Sequence, residues 1–394
     1  MSIDEQIRAL RAQLPQLEGT VYFNHGAAAV LPTSVVEASI EGVRIGADYS
    51  VRRASRKRWA ELRNETRAMA AQLVNASPRN IAFVQSTSVA LSIISLAIPW
   101  RPGENVITAA VDNPATVVPW QNQAHAGVEV RYLPADGDDL VDLDALADLI
   151  DDNTRLVAVS LVEYSTGQRL AVRRIVEQCA PRGILVSVDA VQAAGAVPID
   201  VKALGVNFLS TGAQKWLLGP RNIAILYADD AAVEAIRSPI VTESCVRDIA
   251  HEEEDPTSGI PQLQINEGAR KLEAVPYYNF SGVCGLHQTL ANLRAAGPTA
   301  VYRRVREITD ELVEGLSALD GRVVSPRGED EWSGIVSFAP NGVDTRELVA
   351  ALQRADVYIS RRKGRLRICP HYYNTSDEVA RFLSLLRDHG VRPA

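Results

Sequence analysis

The sequence predicts an α/β fold in which a large domain built on a mostly parallel sheet is followed by a smaller C-terminal α+β domain. Between residues 81 and 227, short apolar runs rich in Val and Ile alternate with helical patterns. These runs lack polar alternation, as parallel strands covered on both faces require. From about Leu286, long helical patterns precede short strands and a final helix, which is typical of a separate α+β unit. A chain of 394 residues with 46% hydrophobic content is long enough for two domains.

The elements of the large domain follow the order expected for right-handed crossovers between parallel strands. The predicted strands are IAFV, NVITAA, VEVRYL, RLVAVSLV, GILVSVD, VNFLS and NIAILYA. Helical patterns such as SVALSIISLAI and AVRRIVEQCA lie between them. A polar, acidic segment from Val241 to Gly268 is rich in turn formers and predicts a long loop or lid. Because ligands bind open α/β sheets at the carboxyl ends of the strands, the residues after each run are candidates for a binding site.

Charge and cysteine content argue against several classes of protein. The formal net charge of -7 argues against nucleic-acid binding, because phosphate contacts need a basic surface. One basic cluster, VRRASRKRWAELR, is interpreted as a solvated helix face. The four cysteines are scattered, which predicts no zinc site, no disulfide framework and a reducing compartment. Without a signal-peptide pattern or a membrane-spanning apolar run, the chain is expected to be cytoplasmic and to make no membrane contact.

Polar residues follow three of the predicted strands. After IAFV, the residues QSTS open a helix whose hydroxyls and free N–H groups form an anion site, with ordinary N-capping by Ser86 or Thr87 as the alternative. Asp189 ends GILVSVD, where a buried acid either meets a cation or caps the next turn. Lys215 follows VNFLS, either as a nucleophile or as a surface lysine in a loop.

One ligand, a phosphorylated pyridine aldehyde, uses all three groups together. The Lys215 amine would form its imine, and the Asp189 carboxylate would keep its pyridine nitrogen protonated. The helix N-terminus near Thr87 would hold its phosphate. The strand ends therefore favour a site for such a ligand, in which Lys215 would be the nucleophile.

Several stretches of the chain resemble the class V branch of the fold-type I pyridoxal-phosphate enzymes. They are VYFNHGAAAVLP, STSVAL, DNPATVVPW, VSVDAVQAAGAVPIDVKALGVNFLSTGAQKWLLGP and LRICPHYYNT. That branch includes cysteine desulfurases, kynureninase, isopenicillin N epimerase-like proteins and C–S lyases, and the resemblance covers most of the chain. It implies a large domain with a mostly parallel seven-stranded sheet, a pyridoxal 5'-phosphate cofactor, an amino-acid substrate and a homodimer with its active site at the interface.

The resemblance implies a cofactor-binding role for individual residues. Lys215 matches the Schiff-base lysine, and Asp189 matches the carboxylate on the pyridine nitrogen. Gln192 matches the residue near the phenolic oxygen of the cofactor. Thr87 and Ser88 match the cradle of its phosphate.

The resemblance implies a substrate-binding role for two further residues. Arg367, in GRLRICPHYYNT, matches the arginine that binds the substrate α-carboxylate, a task that suits a planar guanidinium because it pairs bidentately. The alternative for Arg367 is one more solvated charge in a basic segment. His25, in FNHGAA, belongs to a segment that often lines the site in relatives; a loop or helix-cap histidine is an equally good interpretation.

The chain departs from the family pattern at several cofactor positions. Asn113 stands where relatives commonly carry a ring that stacks on the pyridine, and an amide stacks less well. Gln214 stands where many relatives have a histidine just before the lysine. Gly212 replaces a phosphate-binding serine, for which Thr211 or Ser210 is the expected substitute.

A missing cysteine argues against a cysteine desulfurase, and Tyr164 is a further departure from the desulfurase pattern. The segment DVYISRRKGRLRI before Arg367 lacks the reactive cysteine of desulfurases, and Cys369 after it is interpreted as a buried thiol. Tyr164 stands where desulfurases carry an asparagine near the cofactor.

The expected function is therefore a lyase. Lys215 would abstract the Cα proton and a β-substituent would be expelled from a cysteine S-conjugate. An aminotransferase or an amino-acid epimerase is the alternative, since these differ only in where the proton returns. A cofactor-binding protein without catalysis ranks last.

The chain is expected to divide into three parts. Residues 1–30 form an N-terminal segment that packs on the small domain, residues 31–285 form the large cofactor-binding domain, and residues 286–394 form the small domain. No metal site is expected.

Overall fold

The computed structural model describes residues 3–246 and 264–394. Its helices are α1 (Ile3–Arg11), α2 (Thr33–Tyr49), α3 (Arg53–Leu73), α4 (Thr87–Ala97), α5 (Pro114–Gln121), α6 (Leu146–Leu149), α7 (Val172–Cys179), α8 (Val201–Leu204), α9 (Asp230–Ala235), α10 (Phe280–Ala296), α11 (Pro298–Ser317), α12 (Thr345–Arg354) and α13 (Ser376–Asp388). Most of the long loop predicted between Val241 and Gly268 lies outside the described residues. No helix in the described ranges is long and apolar enough to cross a bilayer.

The strands form one large sheet, one smaller sheet and a two-stranded pair. They are β1 (Val21–Tyr22), β2 (Ile81–Val84), β3 (Asn105–Ala109), β4 (Glu129–Leu133), β5 (Thr154–Ser160), β6 (Leu185–Asp189), β7 (Phe208–Gly212), β8 (Ala224–Ala228), β9 (Gly321–Val323), β10 (Val336–Pro340), β11 (Val357–Tyr358), β12 (Ser360–Arg362) and β13 (Arg365–Ile368). The predicted strands of the large domain are therefore confirmed.

The large sheet has seven strands in the order β2-β8-β7-β6-β5-β3-β4. Only β8 runs antiparallel to its neighbours, so the predicted mostly parallel sheet is confirmed. Strands β2, β3, β7 and β8 are buried along their whole length, which explains why they read as apolar runs without alternation. Because the parallel strands end at one edge, the residues after β2, β3, β5, β6 and β7 face a common region.

The C-terminal part of the chain forms a four-stranded antiparallel sheet in the order β12-β13-β10-β9. Helices α11, α12 and α13 contribute to its apolar core together with this sheet. Its strand β13 carries Arg367, which the register places opposite Ser360 on β12.

The N-terminal segment is tied to this smaller sheet region. β1 pairs with β11 in parallel, Asn24 bridges to Cys369, and Arg11 forms an ion pair with Glu378 at 2.8 Å. These contacts hold residues 21–26 beside the end of β13, just after Arg367.

Helix α10 crosses the predicted boundary between residues 285 and 286 and packs against α2 and α3. The approach to α2 is close: a Cβ at Gly42 would lie 2.5 Å from the carbonyl oxygen of Phe280, so glycine is required there. The division into residues 1–30, 31–285 and 286–394 stays a prediction.

Candidate active site

Lys215 lies in a tight turn that follows β7. The Leu218 N–H donates to the Lys215 carbonyl oxygen at 3.0 Å, and the Gly219 N–H donates to the Ala213 carbonyl oxygen at 2.8 Å. Leu218 has a left-handed φ of 57°, a costly conformation for a non-glycine residue. Burial lowers the pKa of the Lys215 amine to about 8, although the Asp189 carboxylate opposes this shift. A larger share of this amine is neutral, and hence nucleophilic, at neutral pH than of a surface lysine.

The Asp189 carboxylate is buried at the end of β6, opposite Ser210 of β7. Its Oδ1 accepts a hydrogen bond from the Val191 N–H at 2.8 Å, and its Oδ2 accepts one from the Thr116 hydroxyl at 3.1 Å. Burial raises the pKa of this carboxyl group, while the Val191 hydrogen bond and the charge of Lys215 oppose the shift. A carboxylate this deeply buried is stable only beside a cation, and a protonated pyridine nitrogen is one.

A second buried carboxyl group, Asp112, lies at the same edge of the sheet. It accepts hydrogen bonds from the Ser160 N–H at 2.9 Å, from the Ser160 hydroxyl at 2.6 Å and from the Asn113 N–H at 2.7 Å. Burial raises the pKa of Asp112 to about 7, with the Ser160 hydrogen bond opposing the shift and the Asp189 charge adding to it. These bonds join the residues after β3 to the end of β5, where Ser160 lies opposite Asp189 of β6.

The N-terminus of α4 has the features of an anion site. Ser86 caps the helix, its side chain accepting from the Val89 N–H at 3.2 Å, so capping does not require Thr87. The Thr87 hydroxyl is buried and has no hydrogen-bond partner among the described residues, and the same holds for the Ser210 hydroxyl. Ser88 is exposed in the first turn. Buried hydroxyls without partners, next to free helix N–H groups, suit a phosphate.

The residues just before Lys215 are closely packed. The buried Thr211 hydroxyl makes only a 3.4 Å contact, to the Gly212 carbonyl oxygen. A Cβ at Gly212 would lie 2.3 Å from Oε1 of Gln214. The Gln214 side chain thus lies against Gly212, and a serine at position 212 would require it to move. The Gln214 carbonyl oxygen accepts from the Ala29 N–H at 2.8 Å.

Arg367 is almost fully buried, with 1% of its surface exposed. Its Nε donates to the Ser360 hydroxyl at 2.9 Å, and its Nη1 donates to the Tyr164 carbonyl oxygen at 2.8 Å. Its Nη2 has no partner among the residues that the structure describes. Burial lowers the pKa of this guanidinium from its ordinary value. A guanidinium with one free N–H₂ group is suited to binding a carboxylate.

Glu163 fixes the loop that carries Tyr164. Its Oε2 accepts hydrogen bonds from the N–H and hydroxyl of Ser165, at 2.8 and 2.9 Å, and from those of Thr166, at 2.6 and 2.7 Å. Such local bonds to the backbone hold a tight turn. The turn presents the Tyr164 carbonyl oxygen to Arg367, while the Tyr164 side chain stays half-buried.

Trp216, the neighbour of Lys215, is held at both its side chain and its backbone. Gln192 accepts from the Trp216 indole N–H at 2.9 Å and donates to the Gly26 carbonyl oxygen at 2.9 Å. His371 lies 2.9 Å from the Trp216 carbonyl oxygen and donates to it through Nε2. Burial lowers the pKa of His371 to about 4, so this ring is neutral. The proposed contact of Gln192 with the cofactor's phenolic oxygen stays a prediction.

His25 is fully buried, and both of its ring nitrogens are engaged. Nδ1 donates to the Cys369 carbonyl oxygen at 2.9 Å, and Nε2 accepts from the Tyr373 hydroxyl at 2.7 Å. Burial lowers the pKa of His25 well below its ordinary value, which keeps the ring neutral. The predicted contact of His25 with the substrate stays a prediction.

Asn113, the predicted substitute for a stacking ring, caps α5. Its side-chain oxygen accepts from the Ala115 N–H at 3.0 Å. This helix carries Thr116, the partner of Asp189, so Asn113 contributes to the position of the buried acid. A direct contact between Asn113 and the cofactor stays a prediction.

A comparison with protein families decides what this arrangement is. The model of the family aminotransferase class-V matches residues 21–382. The chain belongs to this family. The predicted family, its fold type and its cofactor, pyridoxal phosphate, are thereby confirmed, and the chain is a pyridoxal-phosphate-dependent enzyme.

Relatives of this class-V chain are similar over most of their length. The chain is 30% identical to a probable cysteine desulfurase of Aeropyrum pernix, over 89% of this chain and 86% of the relative. It is 27% identical to a probable cysteine desulfurase of Methanothermobacter thermautotrophicus, over 94% of each. The apo structure of a cysteine desulfurase from Thermococcus onnurineus NA1 has a TM-score of 0.86 at 24% identity, covering 98% of each chain.

The functional prediction from the sequence was wrong. It made a lyase of cysteine S-conjugates the expected function and argued against a cysteine desulfurase, whereas these relatives carry the name cysteine desulfurase. The argument rested on a missing thiol before Arg367, and β12 and β13 indeed contain none. The thiol that receives the sulfur, however, acts only after the cofactor has activated the C–S bond. The position of a cysteine in the sequence therefore does not decide whether the C–S bond can be activated.

The sequence analysis missed several residues that position the site. They are Asp112, Thr116, Ser160, Glu163, Trp216 and Ser360. Asp112, Ser160 and Glu163 lie at or just after predicted strands, so the strand-end rule applied to every run would have found them. Thr116 carries no such signal, because its partner Asp189 lies 73 residues later in the sequence. Ser360 precedes its partner Arg367 by seven residues, but their contact follows from the pairing of β12 with β13.

Proposed function

We propose that this chain is a cysteine desulfurase, an enzyme that cleaves the C–S bond of L-cysteine, releases L-alanine and passes the sulfur to a thiol. The observation that carries the proposal is the buried group of Lys215, Asp189 and Arg367, whose free Nη2 suits an amino-acid carboxylate. The names of the relatives over nearly the whole chain support the choice of L-cysteine as substrate.

The described residues fit the cofactor and divide the work of the reaction. When bound, pyridoxal phosphate supplies an electron sink next to Cα. Thr87 and the α4 N-terminus would hold its phosphate, Asp189 would hold its pyridine nitrogen protonated, and Lys215 would hold it covalently. Arg367 binds and orients the substrate carboxylate, and the neutral amine of Lys215 accepts the Cα proton.

The sulfur acceptor in this proposal is a thiol from outside the chain. All four cysteines of the sequence are buried and unpaired: Cys179, Cys245, Cys284 and Cys369. In the balanced reaction, L-cysteine and a thiol give L-alanine and a persulfide. The C–S bond breaks, an S–S bond forms, and the proton of the acceptor thiol ends on the methyl group of alanine.

We further propose a homodimer and a cytoplasmic location. An apolar row on α2 supports the dimer: Val36, Ile40 and Val43 follow helical spacing on one face and are 37%, 41% and 62% exposed. The unpaired cysteines support a reducing compartment.

Product analysis with matched lysine variants tests the proposed activity. The holoenzyme is incubated with L-cysteine and dithiothreitol, and alanine and sulfide are quantified. We expect both products in equal amounts, and loss of both in Lys215→Ala. Lys202→Ala removes an exposed lysine and should leave the activity unchanged. Turnover of L-cysteine that yields pyruvate instead of alanine would contradict the proposal, and so would the absence of turnover.

A further inference from the structure

The hairpin of β12 and β13 is rich in cations, most of which have partners. Lys363 and Arg365 both pair with Asp139, at 2.8 and 2.5 Å. Arg361 donates from Nε to the Thr345 hydroxyl at 2.8 Å. These three positive charges are therefore engaged by side chains outside the candidate active site.

The pairing of the two strands places Arg362 on the same face as Arg367. Ser360 lies opposite Arg367, and Arg362 lies opposite Arg365. Side chains alternate along a strand and agree across a pair, so all four side chains project from one face. Arg361 projects from the other face.

Arg362 differs from the other cations in its partners. Its Nη1 donates to the backbone carbonyl oxygen of Arg361 at 2.8 Å, which leaves its charge without a carboxylate among the described residues. The side chain is half-buried. A cation that is partly removed from water without a counter-ion costs free energy, and an anionic ligand offsets that cost.

The positive charge of Arg362 also acts on Lys215 and Arg367. Burial is the main cause of the lowered pKa of Lys215, and the charge of Arg362 lowers it further. Burial is also the main cause of the lowered pKa of Arg367, and the charge of Arg362 lowers that pKa further. Arg362 is thus within electrostatic range of both the lysine and the arginine. The buried carboxyl groups of this region are already engaged by other residues: Asp189 accepts from Thr116 and Val191, and Glu163 accepts from Ser165 and Thr166.

We propose that Arg362 is a substrate-binding residue that binds a negatively charged group on the side chain of the amino-acid substrate. The inference rests on the proposed function, in which Arg367 takes the α-carboxylate. The substrate class is then an amino acid with an anionic group one or two bonds beyond Cβ. The thiolate of cysteine belongs to this class, and a sulfinate or a carboxylate at the same position carries a full charge at neutral pH.

The isosteric pair L-aspartate and L-asparagine tests the inference because only the charge of the side chain differs. Dissociation constants are measured on the holoenzyme by titration of the cofactor absorbance, which requires no turnover. We expect aspartate to bind about tenfold more tightly than asparagine, as one charge-assisted interaction in a partly buried site provides. Arg362→Gln should weaken aspartate by about that factor and leave asparagine unchanged.

Arg361→Gln is the matched control, since it removes an identical neighbouring side chain from the opposite face of β12. It should keep the preference for aspartate. Equal affinities of the wild type for both ligands would overturn the inference, and so would equal weakening of both by Arg362→Gln. Cysteine turnover is assayed separately, so loss of the proposed desulfurase function with a retained aspartate preference would be recognised.

Discussion

The Lys215 amine shows how its surroundings prepare a single residue for chemistry. Burial favours its neutral form, Asp189 favours its charged form, and Arg367 again favours the neutral form. The result is a pKa of about 8, well below that of an exposed lysine. An amine near this value changes protonation within the working range of an enzyme and can therefore both attack a carbonyl group and carry a proton.

The rate of cofactor attachment should report this pKa. When apo-enzyme is mixed with pyridoxal phosphate, we expect the rate of covalent attachment to rise with pH and to level off above about 8. Only the neutral amine is nucleophilic, so the midpoint follows the Lys215 pKa. Stopped-flow absorbance of the cofactor between pH 6 and about 10 measures it.

The variant Arg367→Gln provides the sign test for this prediction. Removing a neighbouring positive charge raises the Lys215 pKa, so the midpoint should move to higher pH. A midpoint that stays in place or moves down would show that the Arg367 charge does not act on the lysine.

Among the elements, α3 shows what a sequence pattern leaves undetermined. Its basic start was interpreted as a solvated face, and Arg53 and Lys57 are indeed exposed. Arg63, at the end of the same cluster, is buried instead and pairs with Glu273. Arg67 joins from one turn later, with its Nη1 2.8 Å from Glu273 Oε2. The spacing of residues along α3 distinguishes its exposed face from its buried face. The acid that pairs with the buried arginines, Glu273, lies more than 200 residues later, so the neighbouring sequence could not predict this pairing.

The same contrast holds for the strand ends. The apolar runs and the edge rule were enough to predict that Asp189, Lys215 and the α4 N-terminus share one edge of the sheet. The same rule marks Asp112 and Ser160 as candidates, but it does not predict the hydrogen bonds between them or the contact of Gln214 with Gly212. Those depend on side-chain positions that only packing determines.

The buried ion group on α3 should be essential to stability. Burial alone would raise the pKa of Glu273, but the charges of Arg67 and Arg63 outweigh it and hold the pKa below its usual range. Glu273→Gln leaves two buried guanidinium groups uncompensated, so we expect a loss of about 3–5 kcal/mol in the free energy of unfolding. Urea unfolding at pH 7 measures this loss.

Two comparisons make this result specific. Arg58→Gln removes an exposed arginine of the same helix, whose pair with Glu65 spans 3.7 Å, and should change stability by less than about 0.5 kcal/mol. Because the folded pKa of Glu273 is depressed, the contribution of its charge is complete above about pH 4.5 and is lost as pH falls through the folded pKa. A Glu273→Gln protein as stable as Arg58→Gln would contradict the argument.

For the whole molecule, the site depends on contact between the two sheets. Arg367, on the smaller sheet, donates to the carbonyl oxygen of Tyr164, which lies in the loop after β5. Arg365, on the same strand, pairs with Asp139 in the segment after β4. Arg367, proposed to bind the substrate carboxylate, and Lys215, proposed to hold the cofactor, thus come from different sheets. Motifs from both sheets together identified the family, whereas the missing thiol before Arg367 led the sequence analysis to the wrong reaction.

The exposed apolar face of α2 predicts that the molecule forms a dimer. The apolar row of Val36, Ile40 and Val43 is a stripe that a monomer would leave in water, and burying it against a second copy would stabilise a dimer. We expect wild-type protein to sediment as a dimer and the double variant Ile40→Asp/Val43→Asp to sediment as a monomer. Since both side chains are already partly exposed, the folded monomer should keep its circular dichroism spectrum.

Leu96→Asp is the control, because Leu96 is a 51% exposed leucine on α4, away from this row. It should remain dimeric. If the active site lies at the subunit interface, the monomeric variant should also lose pyridoxal phosphate during gel filtration while Leu96→Asp retains it. A wild-type monomer, or a double variant that stays dimeric, would show that the α2 row is not the dimer contact.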